Sequence, residues 1–314
     1  MLGHPGHDGP NPRRDDEDGV GSDTTRLPVV VGVDGSPASD AAVRWAAGEA
    51  AMRALPMKLI HVVAPTPGDS TMAPNGAVTQ WQQDHARQIV EQSRRIVDGL
   101  APPDRLEVGV QVGYAHVVPT LLDASMRAYM IVVGTRGPDA DLRHLLGAVS
   151  SALIRHAHCP VAVIHDLRAP EAEIRQAPVL VGIDGSASSE AATALAFDEA
   201  SRRGVAVVAL HAWSDVGVFP ILGMDWRDYR HEGDELLTQR LAGWQERYPD
   251  VPVRRRLVAD VPARWLVEES KNAQLVVLGS QGRASSPGKH LGSVASAVAR
   301  SARIPVIVFR TGGD

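Results

Sequence analysis

Two stretches with the same glycine spacing, VVGTRGPDADLRHLLGAVS at residues 132–150 and VLGSQGRASSPGKHLGSVAS at residues 277–296, decide the fold prediction. Each begins with the β-branched and aliphatic residues typical of a buried strand and ends where a helix can begin. The glycines fall at matching positions, which are Gly134, Gly137 and Gly147 in the first stretch and Gly279, Gly282 and Gly292 in the second. A spacing that occurs twice in one chain indicates a duplicated unit.

The rest of the chain repeats with the same period. VVVGVDGSPASDAAVRWAAGEA at 29–50 matches VLVGIDGSASSEAATALAFDEA at 179–200, and this match aligns Asp34 with Asp184. His61 aligns with His211 in the following apolar run. A period of about 150 residues indicates two tandem domains rather than a solenoid of short repeats.

Polar segments bound these domains. We predict an N-terminal tail at 1–26, a first domain at 27–166, a linker at 167–177 and a second domain at 178–311. The tail is rich in Gly, Pro and Asp and has no apolar core of a signal peptide, so we expect it to be disordered.

Charge and cysteine content narrow the class of protein. The net charge of −5 gives no electrostatic reason to expect nucleic acid or an anionic membrane as partner. The single cysteine, Cys159, excludes an intramolecular disulfide and suits a reducing compartment, so we expect a cytoplasmic protein. No apolar run reaches the roughly 18–20 residues of a membrane-spanning helix.

Strand and helix patterns alternate within each copy. In the first copy we expect strands at 57–63, 106–112, 130–134 and 160–165, after an initial strand in PVVVGV. A helix follows each of the first four strands, and right-handed crossovers then give a five-stranded parallel sheet with helices on both faces. The fold class is therefore α/β, with two tandem doubly wound domains.

The glycine loops have the chemistry of an anion site. A doubly wound sheet binds ligands at the carboxyl ends of its strands, where the strand order reverses. Gly134 and Gly137 can adopt positive φ at little cost and allow a ligand to approach the backbone closely. Gly147 opens a helix whose first amides favour a phosphate, whereas the carboxylate of Asp34 suits ribose hydroxyls. Neither loop is a Walker loop. That pattern has four residues between its glycines, whereas five residues separate the glycines of GRASSPG at 282–288.

On these residues both halves resemble the universal stress protein family, in its ATP-binding branch. The pattern G-x2-G-x9-G-[S/T] is present as GTRG…GA and GSQG…GS, together with VGVDGS and VGIDGS after the first strand. The resemblance covers about residues 28–310 and implies the strand order 3-2-1-4-5, pairing of domains through their last strands, and a homodimer of the tandem chain. It also implies an adenine nucleotide ligand, ATP with or without Mg²⁺, and a regulatory role in stress, growth arrest or dormancy.

The same resemblance implies two sets of site residues. Those of the first domain are Gly32, Asp34, Val62, Val133, Gly134, Gly137, Gly147, Ala148, Val149 and Ser150. Those of the second domain are Gly182, Asp184, Ala212, Leu278, Gly279, Gly282, Gly292, Ser293 and Val294. The aspartates would contact ribose, Val62 and Ala212 would contact adenine through their backbone, and the loop residues would lie along the phosphates.

The first copy departs from the family pattern at Ala148, where the family has Ser or Thr and the second copy has Ser293. Ser150 offers a hydroxyl nearby, but at a different position. A hydrogen bond to a charged group contributes about 1.5–3 kcal/mol, so we expect the second domain to bind ATP more tightly. Arg283 and Lys289, with no acid beside them in the second loop, point the same way.

Two alternatives to a nucleotide-binding regulator stay open on the residues alone. A weak ATPase or adenylate-handling enzyme needs a positioned base and Mg²⁺ ligands, but the acids Asp139 and Asp141 have no counterparts in the second loop. A protein-binding scaffold that has lost its nucleotide is disfavoured by the intact second motif. We therefore expect function by occupancy, with slow hydrolysis at most.

Two further patterns have plain structural interpretations. RHAHC at 155–159 places His156, His158 and Cys159 together, but its spacing matches no usual zinc pattern. Trp213 follows the strand expected to approach adenine and is either a packing residue or a stacking partner for the base.

Overall fold

The computed structural model describes residues 26–64, 80–100, 106–135, 146–165, 176–213, 226–259, 261–282 and 291–310. Residues 1–25 of the predicted tail, Gly137, and most of both glycine loops lie outside these residues. Among the described helices, none is both long and apolar enough to cross a membrane.

The first half alternates strands and helices as the sequence predicts. Its strands are β1 (Val29–Gly32), β2 (Met57–Val63), β3 (Val108–Tyr114), β4 (Met130–Gly134) and β5 (Val161–Ile164). Its helices are α1 (Pro37–Arg53), α2 (Gln80–Asp98), α3 (Val117–Ser125) and α4 (Ala148–His156).

The second half repeats the pattern. Its strands are β6 (Val179–Gly182), β7 (Val207–Trp213), β8 (Val253–Ala259), β9 (Leu275–Gly279) and β10 (Val306–Phe309). Its helices are α5 (Ala187–Arg203), α6 (Trp226–Arg247), α7 (Pro262–Ser270) and α8 (Ser293–Ser301).

Local signals set the ends of the first helix of each half. Ser36 and Ser186 are the N-caps of α1 and α5, and each side chain accepts a hydrogen bond from the amide three residues later. At the other end α5 stops at Gly204 in the left-handed conformation, and α1 stops in the same way at Ala54. The duplicated sequence thus builds two helices of equal length.

All ten strands form one sheet in the order β3-β2-β1-β4-β5-β10-β9-β6-β7-β8. Within each half the strands are parallel and follow the predicted order 3-2-1-4-5. The halves join where β5 and β10 pair antiparallel, with Val161 opposite Val308 and Val163 opposite Val306. The sequence predicted this pairing of last strands, and the structure confirms it as one mixed sheet.

Two apolar layers cover the faces of the sheet. One layer packs α1, α2, α5 and α6 against the strands, and the largest fully buried side chain in it is Phe197. The other layer packs α3, α4, α7 and α8 on the opposite face. Both layers run across the β5–β10 junction, so the two halves share a continuous core.

A buried charged cluster lies where the C-terminal ends of α1 and α5 meet. Arg53 forms ion pairs with Glu49, Asp198 and Glu199. Arg203 pairs with Glu49 at 2.7 Å and with Glu199 at 2.9 Å. Because each arginine binds a carboxylate of the other half, the cluster ties the halves together. We call these five residues the junction cluster.

Within the junction cluster the two equivalent glutamates titrate differently. Burial, followed by the charge of Glu199, raises the pKa of Glu49 from 4.5 to about 7. Burial also acts to raise the pKa of Glu199, but Arg203, the hydrogen bond from Glu49, and Arg53 outweigh it and lower that pKa. The pair therefore holds one proton more tightly than two ordinary glutamates would.

Candidate functional site

The first predicted aspartate is held by the start of the helix that follows it. The carboxylate oxygen Oδ1 of Asp34 accepts a hydrogen bond from the Ser36 amide at 3.0 Å. The Asp34 amide in turn donates to Ser39 Oγ at 3.2 Å. Gly35 between them has φ +78°, which only a residue without a side chain adopts readily. The turn places the carboxylate at the carboxyl edge of β1.

The second aspartate sits in the same turn with more partners. Asp184 Oδ1 accepts hydrogen bonds from the Ser186 amide at 2.9 Å and from Ser186 Oγ at 2.6 Å. The Asp184 amide donates to Ser189 Oγ at 3.4 Å. Gly185 has φ +82°, as its counterpart does in the first half.

A buried histidine contacts the backbone of the residue before each aspartate. His61 Nδ1 lies 2.8 Å from the carbonyl oxygen of Val33, the residue before Asp34. His211 Nδ1 lies 2.6 Å from the carbonyl oxygen of Ile183. The repeat aligns these two histidines, but the sequence pattern predicted no role for them. Their recurrence beside an aspartate was the signal that could have included them in the site.

Gly134 and Gly279 allow a close approach, but to a helix of the same half. A Cβ on Gly134 would lie 2.7 Å from the Ala38 carbonyl carbon, and one on Gly279 would lie 2.6 Å from that of Ser188. Neither glycine has a positive φ. The sequence-based reason for Gly134 was therefore incomplete, since the tight contact with α1 already requires glycine there.

Gly32 and Gly182 are also explained by packing. A Cβ on Gly32 would lie 3.2 Å from Val133 Cγ1, and one on Gly182 would lie 2.8 Å from Leu278 Cδ2. Val133 and Leu278 are themselves buried in the core. Any contact of these four residues with a ligand would therefore involve backbone atoms.

The helix after the fourth strand of each half has a glycine as its N-cap, and the amide of that glycine is hydrogen-bonded to the residue that follows the strand. The Gly147 amide donates to the Thr135 carbonyl at 2.6 Å, and the Gly292 amide donates to the Ser280 carbonyl at 2.7 Å. The first helical hydrogen bond of α4 runs from Ser151 to Gly147. The amides of residues 148–150 precede that bond, so they lie at the positive end of the helix dipole.

Hydroxyl groups distinguish the two helix starts. Ser293 is exposed at the first position of α8, and Ala148 is exposed at the same position of α4. Ser150 is buried, and its Oγ donates to the Gly134 carbonyl at 2.7 Å. Because the Ser150 hydroxyl already donates its hydrogen to that carbonyl group, it does not provide the free donor that Ser293 provides in the second half.

The second glycine loop lies close to the aspartate. A Cβ on Gly282 would lie 2.9 Å from Asp184 Oδ2, so the loop backbone runs against the carboxylate. Ser188 Oγ donates to the Gln281 carbonyl and accepts from the Gln281 amide at 3.3 Å. Ser186 Oγ reaches the same carbonyl at 3.1 Å. Ala38 stands in the first half where Ser188 stands in the second and has no hydroxyl to do this.

The remaining predicted residues lie near strand ends and helix starts of the two candidate sites. Val62 and Ala212 are half-buried near the carboxyl ends of β2 and β7. Val149 and Val294 are half-buried in the first turns of α4 and α8 and pack on the core. Gly137 lies outside the described residues, as do Asp139, Asp141, Arg283 and Lys289, and the side chain of Trp213 is not among those described.

The His-Cys pattern at the end of α4 has structural contacts. The His158 amide donates to Ser125 Oγ at 2.9 Å. Cys159 is buried, and burial raises the pKa of its thiol to about 12. Among the described residues no group of three or more His, Cys, Asp or Glu side chains could hold a metal ion.

The sheet topology defines a tandem doubly wound α/β protein, and comparison with known proteins gives its family. The model of the universal stress protein family matches residues 26–165 and again residues 177–310. The chain belongs to the universal stress protein family.

Mycobacterial relatives match along almost the whole chain. The chain is 48% identical over 296 residues to universal stress protein Rv2623 of Mycobacterium tuberculosis, covering 93% of this chain and 99% of the relative. It is 50% identical over 290 residues to a universal stress protein of Mycolicibacterium smegmatis, covering 91% and 98%. A solved universal stress protein from Archaeoglobus fulgidus has the same fold, with a TM-score of 0.67 at 17% identity over 91% of this chain and 99% of that one.

Proposed function

We propose that each half binds an adenine nucleotide, with ATP as the ligand, and that occupancy of the two sites regulates a response to stress, growth arrest or dormancy. The observation that carries the proposal is the closeness of Gly282 to Asp184, since a Cβ on Gly282 would lie 2.9 Å from Asp184 Oδ2. It brings the carboxylate and the glycine loop, which the sequence predicts to hold sugar and phosphates, to one crevice. The protein acts in the cytosol, where ATP is abundant.

The chemistry of the crevice suits the parts of a nucleotide. Asp34 and Asp184 present carboxylate oxygens that accept hydrogen bonds from ribose hydroxyls. The first amides of α4 and α8 favour the negative charge of phosphate groups. The backbone beside Val62 and Ala212 lies next along the sheet and is assigned to adenine. Mg²⁺, if present, would bind through the phosphates and water rather than through a protein cage.

Regulation by occupancy follows from how the ligand would hold the loops. A nucleotide that contacts both the aspartate and the helix start stabilises the arrangement in which the two are close. In the second half, Ser186 and Ser188 already hold part of the loop against α5. Binding therefore selects one loop arrangement, and a partner protein can recognise that surface.

Titration calorimetry with ATP on the full chain tests the assignment. We expect two sites per chain, and Asp34→Ala and Asp184→Ala should each weaken one site by about tenfold or more, the value of a hydrogen bond to a charged group. Asp123→Ala, an exposed change on α3, serves as the control and should leave both sites unchanged. Absence of binding heat at millimolar ATP, with and without Mg²⁺, together with no co-purified nucleotide, would overturn the proposal.

A single-turnover assay separates occupancy from catalysis. With protein in excess over labelled ATP, we expect the nucleotide to be recovered intact over many times the dissociation half-life. Conversion to ADP faster than release would instead support the weak ATPase.

A further inference from the structure

The two edges of the ten-stranded sheet differ in charge. β8 at one edge carries three successive arginines, Arg254, Arg255 and Arg256. Arg255 Nη1 donates to Thr238 Oγ1 at 2.7 Å, and Arg256 Nε donates to Glu269 Oε1 at 2.8 Å. Charged side chains on an edge strand discourage pairing with another strand. The β8 edge is therefore protected.

β3, at the opposite edge, carries no charged residue. The strand register aligns Val108 with Val253 of the other half, because the two pair with the equivalent residues Met57 and Val207. The three arginines of β8 therefore correspond to Gly109, Val110 and Gln111. Val110 is 44% exposed and Tyr114 is 52% exposed.

The outward-facing backbone groups of β3 can be assigned from its pairing with β2. The Met57 amide donates to the Glu107 carbonyl, so residue 107 faces β2. Alternation along the strand then directs the amide and carbonyl groups of Val108, Val110 and Val112 away from the sheet. Arg94 Nη1, which donates to the Val108 carbonyl at 3.1 Å, confirms this direction. In the part of the chain that the structure describes, β3 pairs with β2 alone.

The exposed segment reads the same in both directions. Residues 109–113 are Gly-Val-Gln-Val-Gly, with Gln111 at the centre. An antiparallel pair related by a two-fold axis at Gln111 would set Val110 opposite Val112 and Gly109 opposite Gly113. Because Val110 and Val112 both direct their backbone groups outward, this register forms four main-chain hydrogen bonds without an unpaired group between them.

We propose that β3 is a dimerisation edge that binds the β3 strand of a second copy of this chain. The last strands β5 and β10, which already pair with each other inside the chain, are not available to a second copy. The remaining edges are β3 and β8, and self-pairing of β8 would bring arginines together. A palindromic strand with outward hydrogen-bonding groups is self-complementary, as a two-fold interface requires.

The surface beside β3 fits a second copy. An open groove of about 610 Å³ lies between α2 and β3, with Val90 and Val110 as its apolar lining and Glu91, Arg94 and Arg95 as its charged lining. Pairing at Gln111 covers Val110 with Val112 of the second copy and brings that copy's Tyr114 opposite Val108. The other face of the pair carries Gly109 and Gly113, which leave room for the approach.

Sedimentation equilibrium on the full chain tests the proposal. We expect a wild-type dimer at micromolar concentration and a dissociation constant at least about a hundredfold weaker for Val110→Arg, which copies Arg255 of the protected edge. Met126→Arg, at the C-cap of α3, is the matched control, since Met126 is 59% exposed but lies off the strand, and the dimer of this variant should match that of the wild type. A monomeric wild type, or a Val110→Arg dimer of unchanged strength, overturns the proposal.

Cross-linking tests the register. Gln111 faces its own counterpart in a non-hydrogen-bonded pair, where Cα atoms lie about 4.5 Å apart, a distance that a disulfide spans. Gln111→Cys should therefore form a covalent dimer on mild oxidation, whereas Val110→Cys, which faces Val112, should form little. Equal yields from the two variants, or no covalent dimer from Gln111→Cys, would reject this pairing. Nucleotide binding by the same samples is measured separately, so failure of one proposal is distinguishable from failure of the other.

Discussion

The two candidate sites share their backbone and differ in the hydroxyl groups attached to it. Both have an aspartate in the same turn and a helix that opens at a glycine fastened to the loop. The second site adds Ser188, which holds the loop at Gln281, and Ser293 at the start of α8. The first site has Ala38 and Ala148 at these places. The duplicated fold therefore preserves the backbone of the two candidate sites, while their side chains differ.

For the proposed nucleotide binding, this difference predicts two sites of unequal affinity in one chain. A loop that is already held in place loses less conformational entropy when a ligand binds. The second site, with its loop fastened by Ser188, is the more preorganised one. We expect it to fill first as ATP rises and the first site to respond at higher concentration.

The largest expected difference between the halves lies in the junction cluster. Arg53→Met removes the partner of three carboxylates and should lower the free energy of unfolding by about 3–5 kcal/mol, the usual cost of leaving buried charge unpaired. Arg203→Met should cost less, because the Arg203 side chain is 19% exposed against 4% for Arg53 and pairs with two of the carboxylates. Urea unfolding of the full chain measures both values, and equal losses would contradict the ranking.

Exchanging the hydroxyl between the sites tests their asymmetry. Ser293→Ala should weaken the second site, and Ala148→Ser should strengthen the first, each by about tenfold or more, because a hydrogen bond to a charged group contributes about 1.5–3 kcal/mol. Calorimetric titration with ATP measures the two dissociation constants. Ser151→Ala, one turn into α4, is the control. If both exchanges leave the two constants unchanged, the difference between the sites has another origin.

A further expected effect is a pH dependence of stability that differs between Glu49 and Glu199. The pKa of Glu49 rises from 4.5 to about 7 in the folded chain, so its contribution to stability is complete below pH 4.5 and is lost as the pH rises through 7. The slope is at most about 1.4 kcal/mol per pH unit. The lowered pKa of Glu199 acts in the opposite sense, and only as the pH falls below 4.5.

Unfolding free energies measured between pH 5 and 8, for the wild type and Glu49→Gln, check this prediction. The variant should lose the slope across this window because its side chain does not titrate. Glu107→Gln, outside the junction cluster, should keep the wild-type slope. A Glu49→Gln profile parallel to the wild type would show that Glu49 keeps an ordinary pKa.

Local sequence patterns were sufficient for the elements. The strands predicted at 57–63 and 130–134 have those bounds in the structure, because continuous apolar runs bury both faces of a central strand. The strand predicted at 106–112 lies at Val108–Tyr114 instead. An edge strand is half exposed, and its weaker pattern fixes its ends less well.

The candidate site was predicted in part. The turn residues Asp34 and Asp184 and the helix-opening glycines lie where the repeat places them. The roles of His61 and of the Ser150 hydroxyl were not predicted, because each depends on which carbonyl group happens to lie opposite. Gly134 was assigned to a ligand, but its contact with Ala38 involves two segments about a hundred residues apart in sequence.

The sequence alone determined the duplication, the α/β alternation and the family, because apolar periodicity and glycine spacing are properties of short segments that recur. Only the tertiary structure determined the antiparallel register in which β5 and β10 pair, and that Glu49 and Glu199 meet in a buried cluster with opposite pKa shifts. It also determined that the two edges of the sheet are β3, which has no charged residue, and β8, which carries three arginines. These features depend on packing between distant segments, and no local pattern encodes which distant groups will meet.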